Sequence, residues 1–349
     1  MKPTHKAYIK TTIIFIVSAL LTIFVFNYTL DPLWYFGGNK LFSENYSFNE
    51  RFSKVNQYLK AAEQYDCILL GSSRVTLLDA RQISGYNCFN FAFSDGNPEE
   101  FIAYAKYIRR YGLKPRLSII GIDARFYSRK NHKVIVPDFV QQLERPPLSL
   151  KTYLSFNALN FSLRTLLRKP PQHRYYTDEL IGAILAKTKD YQPPPCFNLE
   201  GFGLSYTDKK IHYLTKVKSE LKSDSIIGYV APVSAWDLMP LLEDGKLNSY
   251  LQTMYQISKQ FDRFYDFSVP SDLTKRTDNN YDGHHYSRAS NDEVAKVLSG
   301  GKLQNAIALH AITLLEYQRL YTDSLVQFSK TLQNIKKSSW KCRKRSAMR

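Results

Sequence analysis

The stretch "YDCILLGSSRVTLL", Tyr65 to Leu78, contains a short, continuously apolar run that ends in a glycine and two serines. Runs of this length, closed by a turn residue, are typical of strands buried on both faces. Similar runs recur along the chain and alternate with segments of helical pattern. This alternation predicts an α/β fold in which helices cover both faces of a parallel sheet.

The clearest predicted helix follows the second strand. Asn97 is suited to cap it, Pro98 to open its first turn, and Gly112 to end it. Beyond Cys67–Gly71, strands are predicted at residues 86–93, 116–122, 225–232 and 264–268, the last being the final strand of the sheet. Further helices are predicted within residues 48–65, 211–222, 247–261, 282–298 and 303–335.

The positive charge of the chain is concentrated at its two ends. Its 349 residues carry a net charge of +17, of which ten charges lie in the first ten and last fourteen residues. The body between them has no arginine-rich stripe or nucleic-acid-binding motif, so no nucleic-acid partner is expected. Basic ends are typical of membrane-flanking segments or solvated tails.

An uncharged run, Thr11 to Leu30, is long enough to cross a membrane. Its 20 residues would span about 30 Å as a helix, the thickness of the hydrocarbon layer. Lysines precede the run, and Trp34 and Tyr35 follow it, where an interfacial aromatic belt lies. The alternative is a cleaved signal peptide, but no small-x-small site follows. The pattern predicts a single-pass anchor in the cytoplasmic membrane, with the amino terminus inside and everything after Asp31 outside, periplasmic or extracellular.

The sequence predicts four regions. Residues 1–31 form the cytoplasmic end and the anchor, and residues 32–64 form a neck. Residues 65–300 form the α/β domain, interrupted at about 130–210 by a mostly helical, proline-bracketed insertion. Residues 301–349 form a carboxy-terminal helix and basic tail.

The four cysteines, Cys67, Cys88, Cys196 and Cys342, lack the spacing of zinc ligands. Cys67 and Cys88 fall on two predicted neighbouring strands, so an oxidising compartment would permit a disulfide between them. The alternative is two buried thiols that act as small apolar residues. No metal and no cofactor are expected.

Ser73 is the candidate nucleophile because active sites of parallel α/β sheets lie at the carboxyl ends of the strands. Gly71 lets the chain turn tightly after the strand, and Ser73 would then begin a helix whose N–H groups favour an oxyanion. The alternative is a simple helix cap. Arg74 is a candidate contact for an anionic substrate or a local cap, and Gly96 is either an oxyanion donor or a turn glycine.

The sequence "DGHHY" offers a base for that nucleophile. An aspartate three residues before a histidine is able to fold back onto the imidazole, so Asp282 would orient His285 as the base. His284 is the less favoured base and a candidate substrate contact. The alternative is a polar loop with two exposed histidines.

The order of these motifs resembles the GDSL/SGNH hydrolases. "ILLGSSR" is similar to the first block of that family, with Ser72 where its aspartate usually stands, and "DGHHY" looks like its last block. The resemblance covers roughly residues 65–130 and 215–300. It implies a three-layer α/β/α, flavodoxin-like parallel sheet and a Ser-His-Asp triad.

The third block departs from the family. Gly121-Ile122-Asp123-Ala124 stands where the family has Gly-x-Asn-Asp, whose asparagine donates to the oxyanion. Since an ionised carboxylate accepts and does not donate, three alternatives arise. Asp123 is protonated, a neighbour such as Asn97 supplies the donor, or the catalytic machinery is weakened.

The anchor, the neck and "DPLWYF" resemble a membrane-anchored subgroup that works in O-acylation of envelope polysaccharides, such as alginate acetylation and teichoic-acid D-alanylation. The resemblance implies an acyl esterase or O-acyltransferase with a polysaccharide or acyl-sugar substrate. It also implies a multi-span membrane acyltransferase as partner. The alternative is a catalytically silent, glycan-binding or scaffold subunit of such a complex.

Overall fold

The computed structural model describes residues 5–128, 132–147, 150–193 and 206–336, with side chains up to 332. The chain divides into two compact units. The first comprises Met1–Ala62 and Pro137–Ala186, and the second comprises Glu63–Val136 and Lys187–Arg349.

The described residues form strands and helices that we number in chain order. The strands are β1 (Glu44–Asn45), β2 (Cys67–Leu70), β3 (Cys88–Asn90), β4 (Leu117–Ile122), β5 (Arg174–Thr177), β6 (Gly182–Ile184), β7 (Ser225–Val230), β8 (Arg263–Asp266) and β9 (Ile307–Ala308). The helices are α1 (His5–Leu30), α2 (Glu50–Leu59), α3 (Pro98–Tyr111), α4 (Asp138–Gln141), α5 (Leu150–Tyr153), α6 (Phe156–Leu166), α7 (Ile211–Leu221), α8 (Ala235–Glu243), α9 (Leu247–Ser258), α10 (Arg288–Leu298) and α11 (Leu314–Lys336).

The second unit is built on a mostly parallel sheet with the strand order β3-β2-β4-β7-β8-β9. The first five of these strands are parallel to their neighbours, and β9 pairs antiparallel with β8. β2 and β4 are buried along their whole length, as the continuously apolar sequence of β2 and the mostly apolar sequence of β4 predict. The predicted α/β class with a mostly parallel sheet is therefore confirmed.

Two expectations about the end of the chain were wrong. β8 is not the final strand, because β9 adds to its free edge. The last helix does not begin at residue 303 but at Leu314. Thr313 and Glu316 form a reciprocal cap, in which Thr313 N donates to Glu316 Oε2 and Glu316 N donates to Thr313 Oγ1. Such a capping box starts a helix where it stands.

A disulfide joins Cys67 to Cys88. The two residues are direct partners in the register of β2 and β3, which brings their side chains together. Of the two alternatives for this pair, the structure shows the bridge and not the free thiols. Cys196 and Cys342 lie outside the described residues.

Replacing both Cys67 and Cys88 by alanine is expected to lower the free energy of unfolding by about 3 kcal/mol, because the bridge closes a loop in the unfolded chain. The two residues are separated by 21 positions. Denaturant titration of the full chain in detergent measures the loss. Reduction of the wild-type protein should lower the stability by a similar amount, and an unchanged unfolding midpoint in both experiments would contradict the expectation.

The first unit holds the apolar helix α1 and the elements that surround its end. Among the described residues, α1 is the one helix long and apolar enough to cross a membrane. The predicted insertion contributes α4, α5 and α6 to this unit, but it also contributes β5 and β6. These two strands form an antiparallel sheet with β1, so the insertion is less helical than its sequence predicts.

Asp31 organises the turn that follows α1. Its Oδ2 accepts hydrogen bonds from Phe36 N at 2.8 Å and from Gly38 N at 2.7 Å, and its Oδ1 accepts from the Tyr153 hydroxyl. Asn27 Nδ2 donates to Tyr153 O at 2.6 Å. These bonds attach α5, which contains Tyr153, to the last turns of α1.

Candidate active site

Ser73, His285 and Asp282 form a continuous hydrogen-bonded chain in the second unit. Ser73 Oγ lies 2.8 Å from His285 Nε2, and His285 Nδ1 lies 2.7 Å from Asp282 Oδ2. Both distances are those of well-formed hydrogen bonds. The structure thus brings together three predicted residues, although 212 positions separate Ser73 from His285.

A tight turn after β2 presents Ser73. Ser72 O accepts from Val75 N at 2.9 Å, and Ser73 O accepts from Thr76 Oγ1 at 2.6 Å. A single 3₁₀ turn, Val75–Leu77, follows instead of the predicted helix. Asn90 Nδ2 donates to Val75 O, at the start of this turn, and to Leu78 O, just after it, and so occupies acceptors that a continuing helix would use. The predicted helix-dipole contribution at Ser73 is therefore wrong, since no helix begins there.

The loop before α10 folds Asp282 back onto His285. Asp282 Oδ1 accepts from His284 N at 3.0 Å and from His285 N at 2.9 Å, which leaves Oδ2 for the imidazole. Gly283 has a φ of +81°, and a Cβ there would lie 2.0 Å from Asp237 Oδ2. The loop therefore needs glycine at this position, both for its backbone conformation and for space.

Electrostatics favour an ionised Asp282 and a defined imidazole tautomer. Burial opposes ionisation of Asp282, but the hydrogen bond and charge of His285 and the N–H of His284 outweigh it and hold its pKa below the usual range. An ionised Asp282 accepts the proton at His285 Nδ1, so Nε2 is left to accept from Ser73. The ring of Tyr281 stacks on His285 with centroids 5.3 Å apart.

Ser73 and His285 are shielded from bulk solvent. Ser73 is 7% exposed, and the side chain of His285 is 13% exposed. The Asp282 side chain is 36% exposed, which makes it the most accessible of the three. Shielding of Ser73 and His285 from water strengthens the electrostatic interactions between their side chains.

His284 lies beside Arg74. Arg74 donates through one terminal nitrogen to His284 Nδ1 at 3.2 Å, and His284 Nε2 is 3.6 Å from Asp237 Oδ2. Burial and the nearby cations, Arg74 first among them, hold the pKa of His284 far below its ordinary value. His284 is therefore neutral. Its role as a substrate contact stays a prediction, as does that of Arg74.

Asp123 is held between two arginines. Arg125 forms a two-pronged ion pair with it, with Nε at 3.1 Å and a terminal nitrogen at 2.7 Å, and its backbone N–H donates to the same carboxylate. Arg74 lies 3.8 Å away. Burial opposes the charge, but both guanidinium groups outweigh it, so the pKa of Asp123 falls well below its usual range. Of the three alternatives for this position, a protonated Asp123 is therefore wrong.

The other two predicted oxyanion donors have local structural roles. Gly96 N donates to Phe93 O at 3.0 Å, and a Cβ at Gly96 would lie 2.6 Å from Gly71 O, so this glycine allows two backbone segments to approach closely. Asn97 caps α3 through its Oδ1, as predicted, and its Nδ2 donates to Lys133 O at 3.3 Å. Their roles as oxyanion donors stay predictions.

Sequence reasoning missed Arg125, Asp237, Tyr191 and Tyr281. A local signal for Arg125 exists, because "DAR" occurs at residues 79–81 and again at 123–125. Both copies form the same ion pair between the aspartate and the arginine two residues later. Asp237 has no such signal, since Tyr191 and His284 reach it from distant parts of the chain.

Asp237 is a buried carboxyl whose pKa is raised to about 6, because burial outweighs the hydrogen bond from the Tyr191 hydroxyl. In the folded protein Asp237 keeps its proton up to about pH 6, whereas in the unfolded chain it loses the proton near pH 4. The contribution of Asp237 to the free energy of unfolding therefore falls as the pH rises from 4 to 6. The unfolding free energy of the wild type, relative to Asp237→Asn, should fall by about 2 kcal/mol between pH 4 and pH 7.

Parallel denaturant titrations of the wild-type and Asp237→Asn chains across this pH range measure that difference. The comparison cancels the opposite contributions of Asp123 and Asp282, whose pKa values are lowered by folding. A difference that stays flat with pH would show that Asp237 titrates normally in the folded protein.

No protein-family model, curated protein or solved structure matches the chain. Within the described part of the chain, no three or more His, Cys, Asp or Glu side chains are grouped to hold a metal ion. The geometry of the side chains is therefore what bears on function.

Proposed function

We propose that this protein is a membrane-anchored, serine-dependent acyl esterase or O-acyltransferase that acts on a cell-envelope or exported polysaccharide. The observation that carries the proposal is the hydrogen-bonded chain from Ser73 through His285 to Asp282. Nucleophile, base and orienting carboxylate in this order are the parts that acyl transfer through serine requires. The proposal includes a three-layer, flavodoxin-like arrangement of the second unit, as the resemblance to SGNH hydrolases implies.

In this mechanism, His285 Nε2 takes the proton of Ser73 as its oxygen attacks the carbonyl carbon of an acyl ester. The tetrahedral intermediate collapses, the ester bond breaks, and His285 returns the proton to the departing alcohol. Water or a sugar hydroxyl then attacks the acyl group on Ser73 and passes its proton to His285. The bond between Ser73 Oγ and the acyl carbon breaks, and His285 returns the proton to Ser73 Oγ. Asp282 stabilises the imidazolium that forms in each half of the reaction.

Arg74 would compensate for the unusual Asp123. Its guanidinium interacts electrostatically with Asp123 and with Asp282, and it immediately follows the nucleophile in the chain. A buried cation beside the reacting carbonyl favours the negative charge that develops on the carbonyl oxygen. The proposed site therefore replaces a neutral asparagine donor with an arginine whose charge is balanced by Asp123.

The proposed location is the outer side of the cytoplasmic membrane, with α1 as a single-pass anchor and the amino terminus inside. The lysines that precede the uncharged run support this orientation, because cytoplasmic flanks carry an excess of positive charge. The Cys67–Cys88 disulfide also supports it, since such bridges persist in oxidising compartments. A multi-span membrane acyltransferase is the proposed partner.

A second candidate is a catalytically silent glycan-binding or scaffold subunit of an acylation complex. The ionised Asp123 favours it, because that carboxylate stands where the related hydrolases have an oxyanion donor. Labelling of the full chain with a fluorophosphonate separates the two candidates. The enzyme should be labelled, and Ser73→Ala should not. A wild-type chain that resists labelling while correctly folded would favour the silent subunit.

A further inference from the structure

Helix α6 presents a second apolar face away from the body of the first unit. Its inner face is buried through Ala158, Ser162 and Thr165. The exposed apolar side chains lie to one side of that face: Phe156 at 79%, Leu163 at 44%, Leu166 at 43% and Leu167, just after the helix, at 59%. Their spacing of seven, three and one positions places them on one stripe of the helix.

A polar and basic stripe adjoins the apolar one. Asn157, Asn160 and Arg164 are exposed at spacings of three and four. Arg168 is also exposed but lies just after the end of α6, with its guanidinium 5.3 Å from the centre of the Phe42 ring. The sequence from residue 145 to residue 177 contains no aspartate or glutamate. A helix with an apolar stripe beside a basic stripe is typical of segments that lie in the interface of a membrane with anionic lipids.

The position of α6 along α1 places it at membrane depth. α6 packs against α1, and Phe24 of α1 contacts Tyr153 of the preceding helix, with ring centroids 6.2 Å apart. Residues 5–22 of α1 are all exposed, whereas cover by the first unit begins at residue 23. If the uncharged run ending at Leu30 fills the hydrocarbon layer, its last eight residues, about 12 Å, lie beside α5 and α6.

We infer that α6 lies in the interfacial layer of the same bilayer that α1 crosses. Its apolar stripe contacts the acyl chains, and Arg164 and Arg168 contact the phosphate groups of the lipids. This position of α6 requires that α1 spans the membrane, and it is independent of the proposed acyl chemistry. The first unit would then be attached to the membrane by two helices, α1 across the bilayer and α6 along its surface.

The test uses the full chain with Cys196 and Cys342 replaced by serine and the Cys67–Cys88 bridge retained. A single cysteine is placed at Phe156 or Leu163 and labelled with an environment-sensitive fluorophore, NBD. The protein is reconstituted in vesicles of phosphatidylcholine and phosphatidylglycerol that carry a nitroxide on the acyl chain. Both labels should be blue-shifted and quenched by the nitroxide.

Asn157→Cys is the matched control, because it lies one residue from Phe156 but on the polar stripe. Its label should be quenched at least about threefold less, since the two stripes of an interfacial helix differ in depth. Phe15→Cys, in the exposed part of α1, reports on the anchor itself. Quenching at Phe15 without quenching at Phe156 and Leu163 would overturn the inference. It would indicate that the apolar stripe contacts a protein partner and not lipid. Absence of quenching at all three positions would overturn both the inference and the anchor.

Discussion

Replacing Ser73 by alanine is expected to lower kcat/KM for a chromogenic acetyl ester by about 10⁴-fold or more, because the attacking oxygen is removed while the base and its carboxylate remain. The residual rate would come from binding and from the charge of Arg74. The fold should tolerate the change, since the smaller side chain leaves the hydrogen bond from the Thr76 hydroxyl to Ser73 O in place. Steady-state hydrolysis by the purified full chain measures the effect.

Ser72→Ala is the control for this experiment. Ser72 is buried at the same strand end, but the hydrogen bond to His285 Nε2 comes from Ser73. The Ser72 variant should therefore keep its activity within a few-fold, a range typical of changes that leave the reacting groups in place. Equal activity of the Ser73 variant and the wild type would end the case for serine-dependent acyl transfer.

Asp282→Asn is expected to lower kcat by about 10³- to 10⁴-fold through the tautomer of His285, as loss of the orienting carboxylate does in other triads. The asparagine oxygen is able to keep the hydrogen bonds that Oδ1 accepts from His284 N and His285 N. Its amide nitrogen would then face His285 Nδ1 and donate to it. The imidazole proton would move to Nε2, so the atom that faces Ser73 would become a donor and not a base.

Two measurements separate this effect from a loss of folding. The unfolding midpoint of Asp282→Asn should stay close to that of the wild type, because the loop keeps its backbone hydrogen bonds. The double variant Ser73→Ala/Asp282→Asn should be no slower than Ser73→Ala alone, since residues that act as one unit are not additive. Additive losses would mean that Asp282 acts elsewhere in the protein.

The proposed site also explains why a buried arginine follows the nucleophile. Arg74 lies between neutral His284 and ionised Asp123, and Arg125 shares that carboxylate. Asp123 balances one of the two guanidinium charges, and Arg74 also interacts with the ionised Asp282, so each cation beside Ser73 has an anionic partner. A buried charge of this kind is tolerated when it is paired and hydrogen-bonded, and it favours a reaction that develops negative charge.

The local parts of this protein were predictable from short stretches of its sequence. The apolar runs of β2, β4 and β7 predicted buried strands, and Asn97 predicted the start of α3. The return of Asp282 onto His285 was also predictable, because three residues separate them and only a few backbone angles decide their contact. The ion pair of Asp123 and Arg125 is also a contact between residues close in sequence. The repeated sequence "DAR" indicates it, but sequence reasoning missed this repeat.

How those parts meet depends on contacts between residues that are far apart in the chain. The approach of Ser73 to His285, the contact of Asp237 with His284 and the addition of β9 to the sheet all join distant segments. Each of these contacts requires a particular strand register and helix packing. Register and packing are set by many side chains at once and not by a local motif. The pairing of Cys67 with Cys88 lies between these cases, because neighbouring strands were predicted but the register that makes them partners was not.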